Sequence, residues 1–352
     1  MPGFFLGRGR QYMVSLKDVA TACGVSISTA SKALNHAHDI NETTGEKIRQ
    51  KALEMGYKPN SAARALKSKI THNIGVLFVD DASSGLTHPY FSQVLESFKN
   101  EVEQRGYDLT FINHHVGSEP MSYLEHCLYR NVDGVIIACV DFAQPEVIEL
   151  VQSSIPTVTI DHVFHNCSTI LSDNTEGMEE LTDYIINKGH RRIAFVHGLQ
   201  SSVTRARLVG FYKAMEKHRL PVPESYILEA PYQDGDASAR AAQAILSAEK
   251  RPTCIIFPDD YSCIAGIHAI HDAGLSIPED ISVAGYDGIP LMQHMYPHLT
   301  TFWQNMPEIG RQAAIHLIDL IEKPRTTKIE MISVSGKVLP GDTVKALKKP
   351  AS

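Results

Sequence analysis

Ile27, Ser28, Thr29, Ser31, Lys32 and Asn35 fall at outward positions of one short run, with Ala30, Ala33 and Leu34 interleaved at helical spacing. Short hydroxyls, an amide and one cation can hydrogen-bond base edges and phosphate oxygens, and a helix presenting them can enter a major groove. A second set is carboxylate-rich. Asp80, Asp81, Asp161, Asp259, Asp260 and Asp287 follow short apolar runs; Asp173 and Asn174 fall at a break in the pattern. Arg207 and the rings of Tyr90 and Phe91 join them. Carboxylates accept from hydroxyls, a guanidinium is a forked donor, and an aromatic face covers an apolar ring face. Together they suit a polyhydroxylated ligand.

The first set needs a rigid support. Ser15 to Asn35 reads as two short helices joined by a tight turn: Ser15 as N-cap, Asp18 in the first turn, and Leu16, Val19, Ala20 and Cys23 facing inward. Gly24 ends that helix, Val25 plugs the turn, and Ser26 caps the next. A third helix is predicted from about Glu42 to Met55, with Thr43 and Thr44 as caps, ending at Gly56.

The second set needs strands. Apolar runs at Ile74–Val79, Tyr107–Asn113, Asp133–Val140 and Pro156–Asp161 alternate with helical patterns at Tyr90–Arg105 and Met121–Arg130. The alternation restarts with a helix at Glu176–Lys188, followed by the strand RRIAFVHG, helices at Arg205–His218 and Ala237–Ala248, TCIIFPDD, a helix at Ser262–Ala273, and ISVAGYDG. Continuous apolar strands between helices imply parallel sheets covered on both faces, and the doubling implies two lobes. Ligands in such sheets sit at the carboxyl ends of the strands.

Charge is split along the chain. The whole is −7, but residues 13–69 hold nine Lys or Arg against five Asp or Glu, net +4, while residues 70–352 hold 22 against 35, net −13. The basic end suits phosphate, and the acidic body discourages wrapping of the acid around it. The chain is 43% hydrophobic, enough for a large core, yet no apolar run approaches the ~20 residues of a membrane span. Residues 1–12 lack the apolar core of a signal peptide and are read as a disordered extension, an alternative start or a cloning remnant. The six cysteines show no metal-ligand spacing and are expected to be free thiols in the cytoplasm.

The order KDVA, GVS, TASKALN, GYKPN and ARALK resembles the DNA-binding headpiece and hinge of the LacI/GalR family of bacterial regulators, with later motifs recurring through the remainder. The resemblance implies an α/β protein: an N-terminal all-α helix-turn-helix headpiece at residues 13–60, a hinge helix and linker at 61–72, and two doubly wound parallel-sheet lobes of periplasmic-binding-protein type at 73–345, with a tail at 346–352. It implies a homodimer, or a tetramer, gripping double-stranded operator DNA. The tail carries no leucine heptad for a tetramer-forming coiled coil. Ser15, Ile27, Ser28, Thr29, Ser31, Lys32, Asn35, Tyr57 and Asn60 would contact DNA; Lys32, where relatives often carry arginine, would read bases with Ile27 and Ser28. Leu66 resembles the family's minor-groove wedge, with Arg64, Lys67 and Lys69 on phosphates.

The same resemblance places effector contacts at Tyr90, Phe91, Asp161, Asp173, Arg207, Asp259 and Asp287. Trp303 lies on what resembles a second crossover, as cleft lining or packing, with Met306 as another cleft-edge candidate. Asp259–Asp260 stands where relatives usually have Asn–Asp, which disfavours a ligand acceptor or phosphate there. A sugar effector is expected ahead of a nucleobase, with no cofactor, no metal and no catalytic residue. A solute-binding protein would carry an export signal. An enzyme would show a motif such as G-x-G-x-x-G after a strand, a P-loop, G-x-S-x-G or HExxH, and none occurs. His114 and His115 are adjacent on a strand end, so they point apart and read as surface residues.

Overall fold

Ser15 opens the first element through a reciprocal cap: its hydroxyl accepts the Asp18 N–H at 3.3 Å, and the Asp18 carboxylate accepts the Ser15 N–H at 2.8 Å. The computed structural model describes residues 14–35, 39–58, 70–79 and 85–347. The chain divides into two units between Thr71 and His72.

The first unit contains α1 (Leu16–Ala22), α2 (Ile27–Leu34) and α3 (Glu42–Glu54). Gly24 takes φ +63° in the turn, where a side chain would be strained, and Ser26 caps α2 by accepting the Thr29 N–H at 3.0 Å. The cap of α3 is Asn41, not Thr43 or Thr44. Asn41 keeps non-helical backbone (φ −56°, ψ 131°) and accepts the Thr43 N–H at 3.1 Å, so both threonines already lie in the first turn. Val19, Ala20, Ala30, Ala33, Ile48 and Ala52 form a small core, and Arg49 donates to the Ala33 carbonyl at 3.1 Å, tying α3 to the end of α2.

The second unit runs β1 (Asn73–Phe78), α4 (Pro89–Gln104), β2 (Asp108–Phe111), β3 (His115–Val116), β4 (Glu119–Pro120), α5 (Tyr123–Arg130), β5 (Gly134–Ala138), α6 (Pro145–Gln152), β6 (Thr157–Ile160) and β7 (Ser168–Ser172). It continues through α7 (Asn174–Asn187), β8 (Ile193–His197), α8 (Ser202–Lys217), β9 (Ile227–Glu229), α9 (Gly235–Leu246), β10 (Cys254–Ile256), α10 (Asp260–Asp272), β11 (Ser282–Asp287) and α11 (Pro290–His294). It closes with β12 (Thr300–Trp303), α12 (Met306–Glu322), β13 (Met331–Val334) and β14 (Lys337–Leu339).

One sheet has the order β13-β7-β6-β5-β1-β2, all parallel; the other is β14-β12-β11-β10-β8-β9, parallel except for antiparallel β14. Register places Val76 opposite both Phe111 and Ile136, and the two central strands β1 and β5 are almost wholly buried. The chain crosses between lobes at β7–α7, at β12–α12 and again between β13 and β14. The β3, β4, α6, β7, β9, α11, β12, α12, β13 and β14 elements lie outside the sequence-based alternation.

Each lobe contains a tightly seated helix pair. A Cβ on Gly310 of α12 would lie 2.1 Å from the Val94 carbonyl of α4, and one on Gly210 of α8 would lie 2.2 Å from the Thr175 carbonyl of α7. Any side chain there would force the pair apart. No helix among the described residues is long and apolar enough to cross a membrane.

Candidate effector cleft and nucleic-acid interface

The parallel order aims the carboxyl ends of β6, β10 and β11 and the starts of α4, α7, α8, α10 and α12 toward one crevice. Those helix starts are capped by His88, Asp173, Ser201, Asp259 and Asn305 respectively. Asp161, directly after β6, and Asp287, the last residue of β11, have φ +57° and +108°, left-handed backbone rare outside glycine and tolerated best by aspartate and asparagine.

Arg207, on α8, lies at the centre and is 4% exposed. Its Nε donates to Asn174 Oδ1 at 2.8 Å, its Nη1 donates to the Pro258 carbonyl at 2.8 Å, and its Nη2 lies 3.8 Å from Asp287 Oδ1. The guanidinium sits over the Tyr286 ring at 3.8 Å and near the Tyr232 ring at 5.5 Å. Burial alone would pull its pKa down, and Tyr232, Tyr286, Asp287 and Asp161 around it hold it above its ordinary value. It is a fixed cation.

The carboxylates around it are engaged as well. Asp161 accepts the Tyr90 hydroxyl at 3.0 Å and the Ser172 N–H at 2.9 Å. Burial raises its pKa, opposed by those donors and by Arg207. Burial likewise lifts Asp287 well above the carboxylate range against the pull of Arg207, while the Gln304 amide donates to it at 2.6 Å. Burial, then the Asp161 charge, pushes the Tyr90 phenol up, so it stays a donor.

Asp259 holds a different post. Its oxygens take the Ser262 N–H at 2.7 Å, the Ser262 hydroxyl at 2.8 Å and the Gln233 N–H at 3.0 Å, and the residue is 3% exposed. It clamps α10 to the loop at Gln233, whose φ is +60°. Asp260 is fully buried; it accepts from Thr301 at 2.6 Å and from the Ile289 N–H at 2.8 Å, and burial pushes its pKa to about 7. Asp173 caps α7 at the first crossover, accepting the Glu176 N–H at 3.3 Å.

Thus Tyr90, Asp161, Arg207 and Asp287 form one network, with the Phe91 ring edge-on to Tyr90 at 4.8 Å. Trp303 is half-buried opposite Asp287 in the β11–β12 register, beneath Lys337 at 5.3 Å, and Met306, the first residue of α12, is fully buried. Asp80 and Asp81 lie outside the described residues. His114 pairs with Glu146 at 3.0 Å, and no cluster of three metal-ligating side chains occurs among the described residues. Tyr232, Gln304, His88 and Gln233 escaped the sequence reading. Gln233 meets His88 across the lobes at 2.6 Å, beside a second bridge from Ser202 to the Asp161 carbonyl at 3.1 Å. The signal for Tyr232 and Gln233 was the PYQDG turn; Gln304 directly follows β12.

In the first unit the α2 face is open. Ile27 is 49% exposed, Ser28 is exposed, and Thr29 shares a 2.8 Å hydrogen bond with the Ser26 hydroxyl. Asn35 donates back to the Ser31 carbonyl at 2.9 Å, and Lys32 pairs with Asp39. Tyr57 packs on the three-helix core. Ser15 is spent on its cap. Asn60, Arg64, Leu66, Lys67 and the expected hinge helix lie outside the described residues, apart from residues 70–72, which carry no regular element.

Residues 15–60 match the model of bacterial regulatory proteins of the lacI family, and residues 182–344 match the periplasmic binding protein-like domain. The ribose operon repressor of Escherichia coli K12 is 33% identical over 318 residues, 89% of this chain and 94% of that protein. A LacI family transcriptional regulator from Enterococcus faecium, solved with bound ribose, is 25% identical with TM-score 0.67, covering 78% of this chain and all of that one. The fold also matches the lac repressor dimer bound to operator at TM-score 0.77 and 24% identity, over 95% of this chain and 100% of that one. A helix-turn-helix unit followed by two crossed-over α/β lobes, with this likeness over most of its length, makes the chain a member of the lacI family of DNA-binding bacterial transcriptional regulators.

Proposed function

We propose that the chain is a non-catalytic cytoplasmic repressor that grips a two-fold operator as a dimer, or as a tetramer built from two dimers, and that a sugar held between the lobes changes that grip. The observation that carries the effector half is Arg207, buried at the crevice with a ring below it and Asp161 and Asp287 alongside. A guanidinium and two carboxylates offer donors and acceptors to vicinal hydroxyls. The Enterococcus faecium relative was solved with ribose. Tyr90 is only 5% exposed, which leaves little ring face to stack a flat base and favours a sugar over a nucleobase.

In this reading residues 13–60 are the headpiece, 61–72 the hinge and 73–345 the effector body. Ile27, Ser28 and Lys32 read base edges, while Thr29, Ser31 and Asn35 position on phosphates. The sugar alters operator affinity by the ratio of its affinities for the two lobe arrangements, and by no more.

Thermal unfolding of the full chain with pentoses, hexoses and nucleobases, with and without palindromic duplex, tests both halves. One sugar is expected to raise Tm and to change the duplex Kd. Stabilisation by a nucleobase alone would replace the sugar; turnover of any added compound would overturn the non-catalytic reading.

A further inference from the structure

Lys32 is the one charged side chain on the outward face of α2, and in the free protein its ammonium is bonded to the Asp39 carboxylate, seven residues on. The two side chains remain open, 42% and 58% exposed, so both are available to a groove. The Lys32 hydrogen bond holds the Asp39 carboxyl below its usual range, so the partner is an anion at neutral pH. A docking surface for a polyanion has no electrostatic use for a carboxylate beside the one cation of α2. Asp39 weakens attraction to every phosphate.

We propose that Lys32 and Asp39 act as one donor–acceptor unit that reads a guanine–cytosine base pair. The idea deepens the reading of Lys32 as a base-edge donor and rests on it. Lysine can only donate and an ionised aspartate can only accept. Along the major-groove edge of a G·C pair the order is N7 acceptor, O6 acceptor, N4 donor, so the ammonium meets two adjacent acceptors and the carboxylate meets the cytosine amine. In an A·T pair the sole donor, adenine N6, is flanked on both sides by acceptors, and a carboxylate placed there faces repulsion from N7 and O4. Away from its base pair, Lys32 stays neutralised by Asp39, which lowers affinity for random duplex.

Selection of bound sequences from randomised palindromic duplex by the full-length chain, followed by salt titrations, tests this. The unmodified protein is expected to enrich G·C at one position per half-site. Asp39→Asn is expected to relax that position alone, to bind random duplex several-fold more tightly, and to steepen the log Kd against log salt slope by about one. Asp39→Ser should behave alike and stands in should the asparagine variant not fold. An unchanged base profile and salt slope in these variants would overturn the proposal. Lys32→Ala separates the layers: loss of the same position with Asp39→Asn silent sinks only the paired reading, whereas a profile unmoved by Lys32→Ala sinks the base-reading role itself.

Discussion

The α2 face and the interlobe crevice spend their polar groups in opposite ways. On α2, Ile27 and Ser28 are exposed and Lys32 pairs with Asp39 at the surface. In the crevice, Arg207, Asp161, Asp259 and Asp287 are each held by two or more internal groups. A surface that must accept many DNA sequences before it finds one keeps its donors in water, where exchange costs little. A cleft that must respond to one molecule fixes its groups beforehand, so that binding demands little reordering. Side-chain type therefore counts for more on α2 than in the crevice, where a carboxylate is often already occupied.

The sharpest way to break that contrast is at Arg207. Arg207→Met keeps much of the volume but leaves Asp287, Asp161 and the Tyr286 face without their cation, so urea unfolding of the full chain should lose about 3–5 kcal/mol. Sugar-dependent stabilisation should vanish with it. Lys32→Met, on the exposed face, should move the same measurement by less than about 1 kcal/mol. Similar losses at both sites would end the distinction.

A pH series sharpens the crevice side. The folded pKa of Asp260 is about 7 against an ordinary 3.8, raised by burial, and Asp161 and Asp287 shift the same way. For a raised carboxyl, the folded state holds the proton more tightly. Its stabilising contribution is complete below about pH 4 and is lost as pH climbs toward 7. Asp260→Asn, which cannot ionise, should therefore gain on the unmodified protein by on the order of a few kcal/mol between pH 4 and 7.5. The gain is read as the change in the difference of urea midpoints. A constant difference across that range would show that Asp260 is not protonated in the fold.

Much of this architecture was legible because its signals are local. Ser15 with Asp18, Gly24 and Ser26 mark the helix-turn-helix within a dozen residues, and the apolar runs ending at Asp161 and Asp287 mark strand ends. What escaped depends on distant partners. β7 is a Ser/Thr-rich strand whose Ser168 is satisfied by His316, 148 residues away, and β13 and β14 gain their meaning only on the sheets they return to. The α3 cap was misplaced by two residues because Thr and Asn are both good caps and only backbone geometry separates them. In the crevice the aspartates were visible, but not that Asp259 and Asp173 cap helices. Tyr232 and Gln304 lie in irregular segments, where periodicity says nothing.

The two regions share one device, the helix N-cap, which allows a matched measurement. Ser26 caps α2 in the open, where water can replace its oxygen at the Thr29 N–H. Asp259 caps α10 while buried; its loss strands the Ser262 N–H where water has little access and leaves the Gln233 N–H only the Ser262 hydroxyl oxygen at 3.2 Å. Ser26→Ala should cost about 1 kcal/mol of headpiece stability, and Asp259→Ala about 2 kcal/mol of body stability, nearer the penalty for unpaired buried donors. Because Asp259 ties Gln233 and Ser262 of its own lobe while Asp287 lies beside the Arg207 guanidinium, sugar affinity of the folded Asp259→Ala protein should change by less than tenfold, whereas Asp287→Ala should abolish it. A larger affinity loss at Asp259 than at Asp287, by calorimetric titration below the unfolding temperature, would return Asp259 to the ligand and make the crevice as open-handed as the α2 face.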